Sequence, residues 1–359
     1  MKNKKESRKQ VYFPVLFMTV LILIVLIYGI WLVLSKNHAG GNTVSGTSLG
    51  NVTTVQTETE TTTAYIEPMI EPVSDTTENS VVYPEKTRHS KRFSEDYKAK
   101  YALLINVDTN EIIAYKNADV KMYPASLAKI MTLIVAVENI EDLSDTVLIT
   151  DDMVFPMVEL EAARAGFLPG ETPTLEDILY GMILCSGADA AMAVSEYVAG
   201  SEKAFVSLMN EKAEELGLKS THFTNAVGLH DKENYSTAKD MALILEYAIQ
   251  NDTCRKIISA YEYEVSPTEQ NPEGLTFTSN FFSRMYGDEM PDVTIQGGKT
   301  GFTDEAGNCI ESFAQINGNT YILVMCHCTD KWSAVYDTLS AYSVYGAGGE
   351  KYISSNSVN

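Results

Sequence analysis

Residues 124–132 read Pro124-Ala125-Ser126-Leu127-Ala128-Lys129-Ile130-Met131-Thr132, and apolar spacing continues from there to Glu138. The spacing predicts a helix over Ser126–Glu138, entered from Pro124. Positions i and i+3 of a helix share a face, so the Ser126 hydroxyl and the Lys129 amine come within hydrogen-bond reach. Ser126 lies in the first turn, where the helix dipole and free N–H groups favour developing negative charge. Lys129 sits among Leu127, Ile130, Met131 and Leu133. Partial burial there lowers the lysine pKa, and a neutral amine can take a serine proton. S-x-x-K is a common spacing, which by itself favours a surface Ser and Lys at chance separation, so the rest of the chain decides.

Outward from this helix, Tyr101–Val107 reads as a buried strand, Asp108-Thr109-Asn110 as a turn, and Glu111–Tyr115 as its partner. Thr174 with Asp177 caps a helix running from Leu175 to Cys185. Lys203–Leu216 is an amphipathic helix closed by Gly217. Thr237 with Asp240 caps another that runs to Gln250. Strands return at Val293–Gly297, Asn308–Ile316 and Tyr321–Cys328, the last two forming a hairpin about Gly318. Trp332–Tyr345 reads as a final helix. Strands, helices, strands and a helix make one mixed α/β (α+β) domain, with an antiparallel sheet drawn from both ends of the segment.

Five cations, Lys2, Lys4, Lys5, Arg8 and Lys9, crowd residues 1–10, and the 24 residues from Val11 to Leu34 carry no charge. A helix of about 20 apolar residues crosses a bilayer, and a cleaved leader has a core of only about 7–15. Residues 11–34 are therefore expected to span a membrane, with residues 1–10 cytoplasmic and the rest extracytoplasmic. The rival is a leader cleaved near Asn37-His38-Ala39. Residues 35–92, rich in Thr, Ser and Glu, lack apolar periodicity and are expected to be a flexible linker. The folded domain is then 93–359.

The 359 residues carry 27 Lys or Arg and 48 Asp or Glu, a formal charge of −21. Residues 1–36 hold six of those cations and one acid, so the remainder carries −26. A nucleic-acid binder needs a basic face, so that class is excluded. Five cysteines in such a chain make no disulfide framework. Cys326 and Cys328 alternate on one expected strand face and cannot bridge each other. No H-E-x-x-H occurs, and His222, His230 and His327 lack ligand spacing, so neither metal nor other cofactor is expected.

Two further motifs follow Ser126-x-x-Lys129. Ser186-Gly187-Ala188 comes 60 residues later, at an expected helix end. Lys299-Thr300-Gly301-Phe302 lies on or just after a strand. Lys299 supplies positive charge, Thr300 can donate to a carboxylate, and Gly301 permits close backbone approach. The bland alternatives are helix-stop residues and a Gly-rich turn. S-x-x-K, a Ser-x-Asn-type triplet and K-T-G in that order are shared by penicillin-binding proteins and class A β-lactamases. The flanks Thr224-Asn225-Ala-Val-Gly-Leu229 and Tyr235-Ser-Thr-Ala238 add to the likeness. From Tyr101 to Tyr345 the chain resembles the D-alanyl-D-alanine carboxypeptidases (low-molecular-mass penicillin-binding proteins, peptidase family S11).

The resemblance implies a β-lactamase/transpeptidase-like fold with a helical subdomain. It implies Ser126 as acylated nucleophile, Lys129 as its base and Ser186 as proton relay. Lys299 and Thr300 would hold the substrate carboxylate, with Gly301 beside them. The N–H groups of Ser126 and Phe302 would form the oxyanion hole. The implied substrate is a peptidoglycan pentapeptide, with β-lactams as inhibitors. The triplet departs from the family by ending in Ala188, whose side chain cannot hydrogen-bond. Asn225 is a candidate to substitute for it. Cys185 adjoins Ser186 but has no paired His in the sequence, so it is not expected to be a nucleophile. Two other functions are weighed. A β-lactamase needs a Glu element between Ser186 and Lys299, and none is found. A catalytically weak wall-binding or sensor domain has only Ala188 in its favour.

Overall fold

The computed structural model describes residues 82–285, 290 and 292–352. The expected membrane span at 11–34 and most of the expected linker lie outside them. Among the described residues no helix is long and apolar enough to cross a membrane.

Six strands form the central sheet: β1 (Glu85–Arg92), β2 (Tyr101–Asn106), β3 (Glu111–Lys116), β6 (Thr294–Thr303), β7 (Gly307–Ile316) and β8 (Asn319–Cys328). Their order is β1-β3-β2-β8-β7-β6, so the first strands meet the last ones across the β2–β8 ladder. All neighbours are antiparallel except β1, which runs parallel to β3. A separate hairpin joins β4 (Glu262–Val265) and β5 (Leu275–Thr278). Strand alternation sorts β2 onto two cores. Tyr101, Leu103 and Ile105 face one, and Ala102 and Leu104 face the other. The second core is covered by helix α8 (Lys331–Ala341) through Val335 and Leu339.

Over the first face lie α1 (Lys129–Asn139), α2 (Asp151–Glu159), α3 (Leu175–Leu184), α4 (Ala188–Ala199), α5 (Glu202–Glu215), α6 (Ala238–Gln250) and α7 (Asp252–Ile258). The caps read from sequence are in place. Thr174 and Asp177 form a reciprocal capping box, and Thr237 accepts from the Asp240 amide at 3.0 Å. The helix expected to start at Ser126 begins instead with a tight 3₁₀ turn over Ala125–Ala128, with α1 following from Lys129.

Two expectations need correction. The linker does not extend to Arg92, because β1 occupies Glu85–Arg92. This strand is exposed on both faces and so shows no apolar alternation. Its order comes from ladder pairing, from the Ser90 hydroxyl donating to Ile112 O, and from Lys86 Nζ 3.9 Å above the Tyr115 ring. Tyr83, just before it, donates to Asp240 Oδ1 at 2.8 Å. Cys326 and Cys328 do not share a face. The β7–β8 register shifts beside His327, whose φ is +57°, and this places Cys326 in the first core and Cys328 in the second. Lys299-Thr300-Gly301, read as on or just after a strand, lies on it, inside β6.

Candidate active site

The 3₁₀ turn carrying Ser126 is wedged between β6 and the loop at 224–229. A Cβ on Gly301 would lie 3.0 Å from Ser126 N and 3.1 Å from Ala125 Cβ. Gly301 therefore permits β6 to approach the serine turn itself, a different close contact from the substrate approach expected of it. On the other side Gly228 has φ +82°, and a Cβ there would lie 2.0 Å from Ala125 O. The pressed turn holds Ala125 at φ +50°.

Lys129 Nζ lies 3.2 Å from Ser126 Oγ and donates to Val227 O at 2.6 Å. The lysine is 1% exposed. Burial drives its pKa well below the usual amine range, the charge of Lys299 adds to this, and Asp189 opposes it. An amine so placed is held toward the neutral form that a general base requires. Val227 is presented by a loop that Asn225 braces. The Asn225 Oδ1 accepts from the Gly228 and Leu229 amides, and its Nδ2 donates to Leu229 O. Both ends of the Asn225 side chain are thus spent inside its own loop, which removes it as a stand-in for the missing Asn at position 188. A backbone carbonyl, Val227 O, is what partners Lys129.

Ser186 is buried at the end of α3, with φ +62°, and lines the same cleft as Ser126 and Lys129. The cleft has a volume of about 510 Å³ and is also lined by Thr300, Gly301 and Phe302. Phe302 stands at its mouth, 58% exposed. Lys299 is buried in β6, its Nζ donating to Thr300 O at 2.8 Å. Burial lowers the Lys299 pKa to about 7, with Glu311 opposing and Arg284 reinforcing. Of the seven positions read as a site, scattered from 126 to 302, six line one cleft, and Lys299 adjoins them on β6. Ala188 also lines it, with its amide donating to Ala163 O at 2.8 Å. The Cys185 thiol is pushed up to about 11, chiefly by burial, which keeps it protonated.

Asp189, Arg284 and Glu311 were not singled out from sequence. Arg284 lines the cleft. Asp189 is 1% exposed, and its carboxylate accepts from the amides of Ala165, Gly166 and Ala190 at 2.7, 3.0 and 2.9 Å. It thereby ties the segment 160–166, part of the cleft wall, to the helix after Ser186. The available signal was an acid inside the otherwise small and apolar run Ala188–Val194. Asp189→Ala leaves three amides without their acceptor, one buried and two half-buried. The expected loss is about 3 kcal/mol of unfolding free energy, read as a lowered urea midpoint.

Comparison with known proteins places this geometry. A family described as D-alanyl-D-alanine carboxypeptidase matches residues 85–329. The chain is 33% identical over 230 residues to the D-alanyl-D-alanine carboxypeptidase DacF of Bacillus subtilis, covering 63% of this chain and 56% of that protein. It is 33% identical over 217 residues to DacA of Escherichia coli, covering 58% and 51%. It thus spans about half the length of these curated relatives. A crystal structure of a Streptomyces DD-transpeptidase superposes with TM-score 0.62 at 27% identity, over 67% of this chain and 94% of that one.

Proposed function

The chain belongs to the D-alanyl-D-alanine carboxypeptidase family, and from that membership and the cleft geometry we propose that it is a serine peptidase removing the terminal D-alanine of peptidoglycan stem peptides. The observation that carries this reading is a buried amine, depressed in pKa, 3.2 Å from the Ser126 hydroxyl.

In the proposed cycle the substrate's terminal carboxylate is held by Lys299 and Thr300. Neutral Lys129 takes the Ser126 proton as Oγ attacks the penultimate carbonyl carbon. The oxyanion is stabilised by the N–H groups of Ser126 and Phe302, each such donor being worth about 3–4 kcal/mol. Lys129 hands that proton on through Ser186 to the departing D-alanine nitrogen as the C–N bond breaks, which leaves Ser186 protonated and the amine neutral again. Water then attacks the Ser126 ester, Lys129 takes its proton and returns it to Ser126 Oγ as the ester bond breaks, and the shortened peptide leaves. A β-lactam presents a similar carbonyl and carboxylate, and it acylates Ser126 without a leaving amine diffusing away. Residues 11–34 anchor the protein in the cell membrane and residues beyond them face the wall. The support is the 24-residue uncharged run behind a basic flank.

The test uses residues 82–359, incubated with a fluorescent penicillin and separately with a D-alanyl-D-alanine pentapeptide. The expected result is a one-to-one adduct mapping by peptide mass to Ser126, together with release of free D-alanine. Rapid penicillin turnover in place of a stable adduct would indicate a β-lactamase. Peptide binding without an adduct or D-alanine would indicate a wall-binding domain. Protease digestion of intact against permeabilised cells reads the orientation: an outer domain is cleaved in both.

A further inference from the structure

We propose that Glu311 is a positioning residue whose buried carboxylate keeps Lys299 cationic, and so sets the pH range over which the cleft accepts a substrate carboxylate. This rests on the function proposed above.

Glu311 on β7 is directly opposite Lys299 in the β6–β7 register, and paired residues of an antiparallel ladder point to the same face. Glu311 is fully buried and Lys299 is 1% exposed. Neither carboxylate oxygen of Glu311 has a hydrogen-bond partner among the described residues. A buried acid with no hydrogen bond is costly to keep, and nothing about packing a strand requires it there. Its influence on Lys299 is coulombic: it raises the lysine pKa, and Lys299 in turn lowers that of Glu311, which burial pushes well above the ordinary carboxylate range.

The other charged or titratable neighbours do not supply this counter-charge. Arg284, on the cleft wall, is a cation that acts against a protonated Lys299, and Lys129, at the start of α1, is held toward its neutral form by burial and by Lys299 itself. Cys185, at the end of α3, holds its proton, as burial raises it to about 11. Cys326 of β8 is raised well above the thiol range by its hydrogen bond with Cys309 and then by burial, and Cys309 lies beside Glu311 on β7. Asp189 of α4 is spent on three backbone amides. On α6, Asp240 is taken up by Tyr83 and Ser220, and Glu246 has its pKa raised to about 7 by burial alone. On α7, Arg255 donates to Gln296 Oε1 at 3.0 Å. Glu311 is therefore the acid that faces Lys299 from the neighbouring strand, where Arg284 opposes the lysine's charge.

The sign follows directly. Without the Glu311 charge, Lys299 loses its proton at lower pH, so carboxylate binding fails first at the alkaline end. Glu311→Gln keeps the shape and removes the charge. Its kcat/KM for the pentapeptide, and its acylation rate with a carboxylate-bearing penicillin, should show a basic limb displaced to lower pH by about one unit, a typical effect of one opposite charge nearby. That is a loss of about tenfold near pH 8 and about twofold near pH 6, carried by KM with kcat little changed. Glu311→Asp keeps the charge and should restore the limb. A pentapeptide whose terminal carboxylate is amidated should show no difference between wild type and Glu311→Gln. A limb that does not move, or a loss uniform across pH, overturns the proposal and assigns Glu311 a merely structural role. Wild type inactive on both substrates would instead overturn the carboxypeptidase reading. The pair is then still read without turnover by infrared difference spectra between pH 6 and pH 8. A carboxyl band that titrates with Lys299 and is absent in Glu311→Gln supports the pairing; a band unchanged across that range refutes it.

Discussion

Replacing Lys129 by methionine is expected to slow acylation of Ser126 by about a thousandfold while leaving the domain folded. A positioned general base contributes typically about 10²–10⁴-fold, and Lys129 is the amine within reach of the Ser126 hydroxyl. Methionine fills a similar volume with no titratable group. The stability effect should run opposite to the activity effect. Lys129 has its folded-state pKa well below 10.5, so between those two values the unfolded chain binds the extra proton. Wild-type stability therefore rises with pH through that window, and the cost of the buried lysine is largest on its acid side. Thermal melting of the two proteins from pH 6 to pH 10 tests this. The melting temperature of Lys129→Met, relative to wild type, should be most favourable at pH 6 and decline as pH rises. A difference independent of pH would mean that Lys129 keeps its proton in the folded state, and the general-base role would go with it.

Gly228→Ala should be the most damaging single methyl in the domain. Its Cβ would sit 2.0 Å from Ala125 O and 2.6 Å from Ala125 C, both backbone atoms, and φ is +82°. No rotamer change relieves such a contact, so either the 225–229 loop or the Ser126 turn must move. Either movement also separates Val227 O from Lys129. Left-handed strain and overpacking together predict about 4 kcal/mol of lost stability. A displacement of about 1 Å at the Ser126 hydroxyl is expected to cost on the order of a hundredfold in acylation. Gly217→Ala is the matched control. Its φ is +66° but nothing lies within 4 Å of the added carbon, so only the conformational cost of about 1–2 kcal/mol should appear. Urea midpoints and penicillin acylation rates of the two variants separate the clash from the strain. Equal losses would refute the wedge described for the Ser126 turn.

What could be read in the sequence was whatever a short local rule encodes. The i, i+3 relation of Ser126 and Lys129, the Thr174 and Thr237 caps and the alternation of β2 all depend on neighbours within one turn or one pleat. The missed features depend on partners far away. Glu311 looks like any polar strand residue until its register with Lys299 is known. Asp189 gains its meaning from amides 23 and 24 residues distant. The alternation of Cys326 and Cys328 was broken by one residue at His327, a bulge set by pairing with β7. Asn225 was recognised as part of a family-like segment, but its side chain serves the loop that carries Val227. Strand β1 escaped because an exposed edge needs no apolar pattern, only a ladder to join.

That edge strand also governs how copies of this protein can meet. β1 presents Glu85, Lys86, Arg88, Lys91 and Arg92 in eight residues, on a chain whose net charge is −21. Two sheets approaching edge to edge through β1 would bring four cations against four, a juxtaposition that discourages open strands from polymerising. The repulsion is screened over about 10 Å at 0.1 M salt, so it weakens as ionic strength rises. Light scattering of concentrated protein should accordingly show self-association through this edge suppressed most strongly in dilute buffer. Substituting Lys86, Arg88, Lys91 and Arg92 by threonine would turn a guarded border into a template for sheet growth.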